Sequence, residues 1–64
     1  MARKHEREAG RRWFRALHPS HRWDLGDALV LGTFDWRDWM ERRPSGAFLQ
    51  GVEDARIHWE ITGE

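Results

Sequence analysis

Four histidines, His5, His18, His21 and His58, are the natural starting point for any chemistry in this 64-residue sequence. His18 and His21 lie three apart, with Asp24 three further on. A metal would need three or four ligands and partners to orient them. That spacing is loose, there is no cysteine, and no metal site is expected. Nucleophilic catalysis has less to work with. Ser20 and Ser45 each follow a proline, and neither sits in a G-x-S-x-G elbow. Asp35 and Asp38 have the spacing of helix-capping residues, which accounts for that carboxylate pair. Gly26, Gly32, Gly46 and Gly51 are too scattered to form a phosphate loop. No catalytic residue, cofactor or enzymatic activity is expected.

Arginine supplies the other chemistry. Arg3, Arg7, Arg11 and Arg15 recur every fourth residue, the spacing that lines up one side of a helix. Each guanidinium can grip a phosphate or a carboxylate with two hydrogen bonds. Phe14 falls among them, where its ring could stack on a base. Tryptophan and arginine dominate protein-interface hot spots, and the chain has five Trp and ten Arg. Trp23 and Trp36 each border a loop and are expected to stay partly exposed. The expected partner-binding set is therefore Arg3, Arg7, Arg11, Phe14, Arg15, Trp23 and Trp36. A row of charge can equally be a solvated face, or be neutralised within the fold. Residues 1–22 carry seven basic side chains against two acidic ones, and residues 23–64 carry four against nine. The two halves are thus +5 and −5, which sum to the formal net charge of zero.

The elements that must position these groups follow from periodicity. Residues 2–17 read as a helix, with Ala9, Trp13, Ala16 and Leu17 on one stripe and the arginine row opposite. Phe14 is the misfit on that wheel. It is either buried by a second contact or exposed among the arginines. His18-Pro19 stops the helix, and Ser20 could cap a short turn at 21–24. Gly26-Asp27 reads as a turn. Residues 28–34 form an apolar run expected as a buried strand. Asp35 is expected to cap a helix at 36–43, ended by Pro44-Ser45-Gly46. Residues 47–52 are ambiguous between strand and helix. Residues 56–62 alternate strictly, with Ile57, Trp59 and Ile61 on one side, the pattern of a strand. The expected fold is a single α+β domain: two helices and a small antiparallel sheet of two or three strands.

A chain of this length has a thin core, and without cysteine no disulfide staples it. Its eight aromatic residues are expected to supply most of the burial. No apolar run approaches membrane-spanning length, and the charged MARKHERE start is unlike a secretory signal, so a cytoplasmic protein with no membrane contact is expected. The expected function is that of a non-enzymatic binding protein that docks on a larger macromolecule. Small, charge-polarised inhibitors of host defence or nucleic-acid machinery, encoded by phages or mobile elements, are the expected class. The partner is expected to be a protein, in a complex that handles nucleic acid. The alternative is a nucleic-acid-binding accessory protein that uses the basic helix. Against it, the isoelectric point of about 6.9 is low for such a domain. A structural subunit of a larger assembly ranks third. Oligomeric state is left open.

Overall fold

A computed structural model describes residues 2–63, with side chains from residue 4 onward. Three α-helices, α1 (Ala2–Ala16), α2 (Pro19–Leu31) and α3 (Gly46–Thr62), are joined by a bend at 17–18 and by a longer connection holding one 3₁₀ turn, Trp36–Asp38. No strand occurs among the described residues, so the expected α+β fold and its antiparallel sheet are replaced by an all-helical bundle.

The helix ends explain the chain's path. Pro19 occupies the first turn of α2, and His18 caps it: the Ser20 backbone N–H donates to His18 Nδ1 at 3.2 Å. Arg22, one turn into α2, reaches back to the end of α1. Its Nε donates to the Leu17 carbonyl at 3.0 Å and an Nη to the Arg15 carbonyl at 2.8 Å. A cation at a helix C-terminus satisfies orphan carbonyls and opposes the negative end of the dipole. Ser45 begins α3, with its hydroxyl accepting the Phe48 N–H at 3.1 Å.

The core is small. Phe14, Leu25, Val52, Ala55 and Trp59 are buried, and Trp13, Leu17, Leu29, Phe34, Trp39 and Phe48 pack around them. Phe14 meets Trp59 edge to face, with centroids 5.9 Å apart. The Arg22 guanidinium lies 5.8 Å from the Phe14 centroid and 5.5 Å from that of Trp59. Such contacts add to the burial of the rings themselves.

Helices α1 and α3 touch backbone to backbone at two glycines. A Cβ on Gly10 would lie 2.0 Å from the Phe48 carbonyl oxygen. One on Gly51 would lie 1.8 Å from the Arg7 carbonyl oxygen. No side chain fits at either position, and each glycine forgoes up to ~1 kcal/mol of helix propensity to allow the approach.

Several sequence expectations are corrected here. The helix expected at 2–17 is present as α1, but its buried residues are Gly10 and Phe14, while Ala9 and Ala16 are exposed. The turn at Gly26-Asp27 and the strand at 28–34 give way to α2, which runs to Leu31; Gly26 is buried against the Arg56 stem. Asp35 does cap, accepting the Arg37 N–H at 3.0 Å, but the helix expected at 36–43 is a single 3₁₀ turn. Residues 47–52, ambiguous between strand and helix in the sequence, and the strand expected at 56–62 belong to one continuous helix, α3. Within it Trp59 is buried while Ile57 and Ile61 are exposed.

Candidate functional site

The arginine row is the first surface to place. Arg7 Nε donates to Asp54 at 2.7 Å, and an Arg11 Nη reaches the same oxygen at 3.3 Å. Arg11 also pairs with Glu8 at 3.2 Å, and Arg12 approaches Glu8 at 3.7 Å. Gln50 adds a hydrogen bond to the other Asp54 oxygen, at 3.4 Å. The Arg7 hydrogen bond holds the Asp54 carboxyl below its ordinary range, against the opposing effect of partial burial. Two members of the row are therefore turned onto α3 and hold it to α1. Arg15 is exposed and makes no ion pair among the described residues. The Arg3 side chain lies outside the described residues. A depression of about 580 Å³ along the row is walled by Lys4, His5, Arg7, Glu8 and Arg11, all from α1. Long charged side chains of one helix form it, with no packed floor of apolar groups.

The aromatic candidates divide three ways. Phe14 is only 1% exposed, so its ring belongs to the core. Trp36 is half-buried, with the Arg37 guanidinium 5.5 Å from its centroid. Trp23 is 56% exposed and leans on Trp59, centroids 4.5 Å apart. These residues do not converge on one site with the arginine row.

The structure brings forward two features that the sequence reading missed. The first is a set of exposed apolar side chains on α2 and α3. Val30 and Leu31, in the last turn of α2, are 70% and 74% exposed, and Ile57 and Ile61, four apart on α3, are 45% and 79% exposed. Their four-residue spacing is the signal that could have revealed the α3 face, because i and i+4 lie together on a helix. The second is a groove of about 400 Å³ between α1 and the segment leading into α3. Trp13, Met40, Pro44 and Phe48 line it, together with Glu6 from α1 and Arg42 and Arg43 from the connection before α3. The Trp13 and Phe48 rings sit 5.9 Å apart.

Arg56 is the one buried charge among the described residues, 8% exposed. It is held by Glu53 and by Glu60 at 3.0 Å, on the face of α3 that meets Gly26. All its partners are on its own helix or packed against it, so it is part of the frame. The four histidines do not gather: no group of three or more His, Cys, Asp or Glu able to hold a metal occurs among the described residues. His18 and His21 do stand near each other, ring centroids 6.2 Å apart, and His18 serves as the α2 cap. No helix among the described residues is long and apolar enough to cross a membrane. No protein-family model, curated protein or solved structure matches the chain significantly.

Proposed function

We propose that this chain is a non-enzymatic docking protein whose partner is another protein. The observation that carries the reading is the number of large apolar side chains left exposed. The buried core holds five residues, yet Trp23, Val30, Leu31, Ile57 and Ile61 are all left exposed. Burying one Leu or Ile side chain is worth ~1.5–3 kcal/mol. A domain this size has a total stability of only ~3–10 kcal/mol. Leaving that much burial unused is costly for a thin core, and a partner surface would recover it. Small size and charge polarity support the more specific form of the proposal, an inhibitor of host defence or nucleic-acid machinery encoded by a phage or mobile element.

The alternative, direct nucleic-acid binding by α1, keeps Lys4, Arg12 and Arg15 as exposed cations. It loses much of its force because Arg7 and Arg11 are engaged by Asp54. Immobilised protein presented to a lysate, with and without nuclease, separates the readings. The docking proposal expects a nuclease-resistant protein partner that is lost in the variants Leu31→Asp and Ile61→Asp. Both positions are exposed, so both variants should fold. Capture that disappears with nuclease supports the nucleic-acid alternative. Capture indifferent to both apolar substitutions overturns the role given to those side chains.

A further inference from the structure

The groove between α1 and residues 40–45 has a chemical character of its own. Much of its lining is apolar: Trp13 and Phe48 are half-buried and pack on the core, and Met40 and Pro44 are half-buried beside them in the lining. Its volume of about 400 Å³ is enough for one or two large side chains. The rest of the lining includes charge. Arg42 and Arg43 are both exposed, and neither makes an ion pair among the described residues. Arg7, Arg11, Arg12 and Arg56 have carboxylate partners, whereas Arg42 and Arg43 stand side by side in the sequence and line the groove with their charge unpaired among the described residues. Glu6, from α1, also lines the groove and makes no ion pair among the described residues, so two guanidinium groups outnumber one carboxylate there.

We propose that this groove binds an acidic peptide segment of a protein partner. One large apolar side chain seats among Trp13, Met40, Pro44 and Phe48, and carboxylates beside it pair with Arg42 and Arg43. The charge of Arg42 and Arg43 selects the partner: guanidinium–carboxylate pairs can be bidentate, and a segment bearing Lys or Arg there is repelled. Methionine adapts its shape to the inserted side chain, which suits a groove reading one apolar residue of variable form. The inference rests on the docking reading and names the partner's chemistry.

The test uses the isotope-labelled full chain and three blocked hexapeptides: Glu-Asp-Leu-Phe-Asp-Glu, the same peptide with Lys at the four acidic positions, and one with Ser-Gly in place of Leu-Phe. The expected result is saturable binding of the first alone, with chemical-shift changes at the Trp13 indole and the amides of residues 40–48. The double variant Arg42→Glu/Arg43→Glu should weaken it at least tenfold, and added salt should weaken it in the wild type. Met40→Asp, which places a carboxylate in the apolar lining, should weaken it to a similar extent. Both variants are checked for wild-type helicity first. Equal binding of the acidic and basic peptides overturns the proposal, as does binding untouched by the Arg42/Arg43 reversal. So does a shift map centred on Trp23, Ile57 and Ile61, or no binding at millimolar peptide. Partner capture that survives Arg42→Glu/Arg43→Glu but is lost in Leu31→Asp removes the groove and leaves the docking reading standing. Absence of any captured protein removes the docking reading itself.

Discussion

Replacing Gly10 by alanine tests the architecture at its tightest point. In an ordinary helix interior this change stabilises by up to ~1 kcal/mol, because alanine is the better helix former. Here the added Cβ meets the backbone of α3: the Phe48 oxygen at 2.0 Å, the Phe48 carbon at 2.9 Å and the Val52 nitrogen at 3.1 Å. Ordinary contact begins at 3.4 Å, so α1 and α3 must part by more than an ångström. No rotamer can relieve a clash with main chain. A gap of ~1 Å forfeits a quarter to a half of each dispersion contact along the seam. Overpacking of this kind costs ~1–3 kcal/mol, and rigid backbone places it at the upper end. The net expectation is a loss of about 2 kcal/mol, which lowers the melting temperature of a domain this size by ~10 °C. Gly51→Ala should behave alike, since its Cβ would lie 1.8 Å from the Arg7 carbonyl oxygen. Gly46→Ala is the internal control. Nothing lies within 4 Å of a Cβ there, and it should stabilise by ~0.4–1 kcal/mol. Thermal denaturation followed by circular dichroism reads all three. If Gly10→Ala melts at or above the wild type, as Gly46→Ala should, the two helices do not meet where the structure puts them.

Three further predictions follow from the packing. Trp59→Ala should cost ~3–5 kcal/mol, while Ile61→Ala should change stability by less than ~0.5 kcal/mol, as urea titrations of the two variants would show. Comparable losses would return the residues 56–62 to a two-faced strand. Ser45→Ala should cost ~0.5–2 kcal/mol through loss of the α3 cap, with Ser45→Asp retaining most of it; equal melting points for all three proteins would place the start of α3 elsewhere. Because the Asp54 carboxyl is held below its ordinary range, its contribution is complete above that range and is lost as pH falls through the lowered value. Melting curves from neutral to acid pH should therefore decline less in Asp54→Asn than in the wild type, and Arg7→Glu/Arg11→Glu should destabilise the fold at neutral pH. An unchanged melting point for that double variant would mean the row is solvated and not tied to α3.

The sequence made α1 legible because its signals agree. A charged row at four-residue spacing and a proline stop both mark the same helix. The later elements were misread for identifiable reasons. Ile57, Trp59 and Ile61 alternate, but successive second residues on a helix step by about 200°. Two such steps bring Ile61 back beside Ile57 with Trp59 opposite, so one buried and two exposed apolar residues imitate a strand. Residues 28–31 form an unbroken apolar run because Val30 and Leu31 stay exposed beyond the face that Leu25, Gly26 and Leu29 bury, and this erased the helical period. Gly51 disfavours a helix by its propensity alone, yet its place in α3 is set by the close contact with Arg7. Pro44-Ser45-Gly46 was read as an end, although Ser45 is equally the residue that starts a helix. At the candidate surfaces, the exposed Trp23 and the arginine row were visible in the sequence. The groove was not, because it joins Trp13 to Phe48 across 35 positions that only the tertiary crossing brings together.

That crossing is the claim on which the rest depends. It turns Arg7 and Arg11 onto Asp54, brings Trp13 against Phe48 and buries Val52 while Ile57 and Ile61 stay exposed on α3. A three-dimensional isotope-edited NOESY on the full chain reads it directly. The account predicts cross-peaks from the Gly10 Hα protons to the Val52 amide, and from the Gly51 Hα protons to the Arg7 Hα. Absence of both, with Hα–Hα contacts pairing residues 47–52 with 56–62, would contradict it.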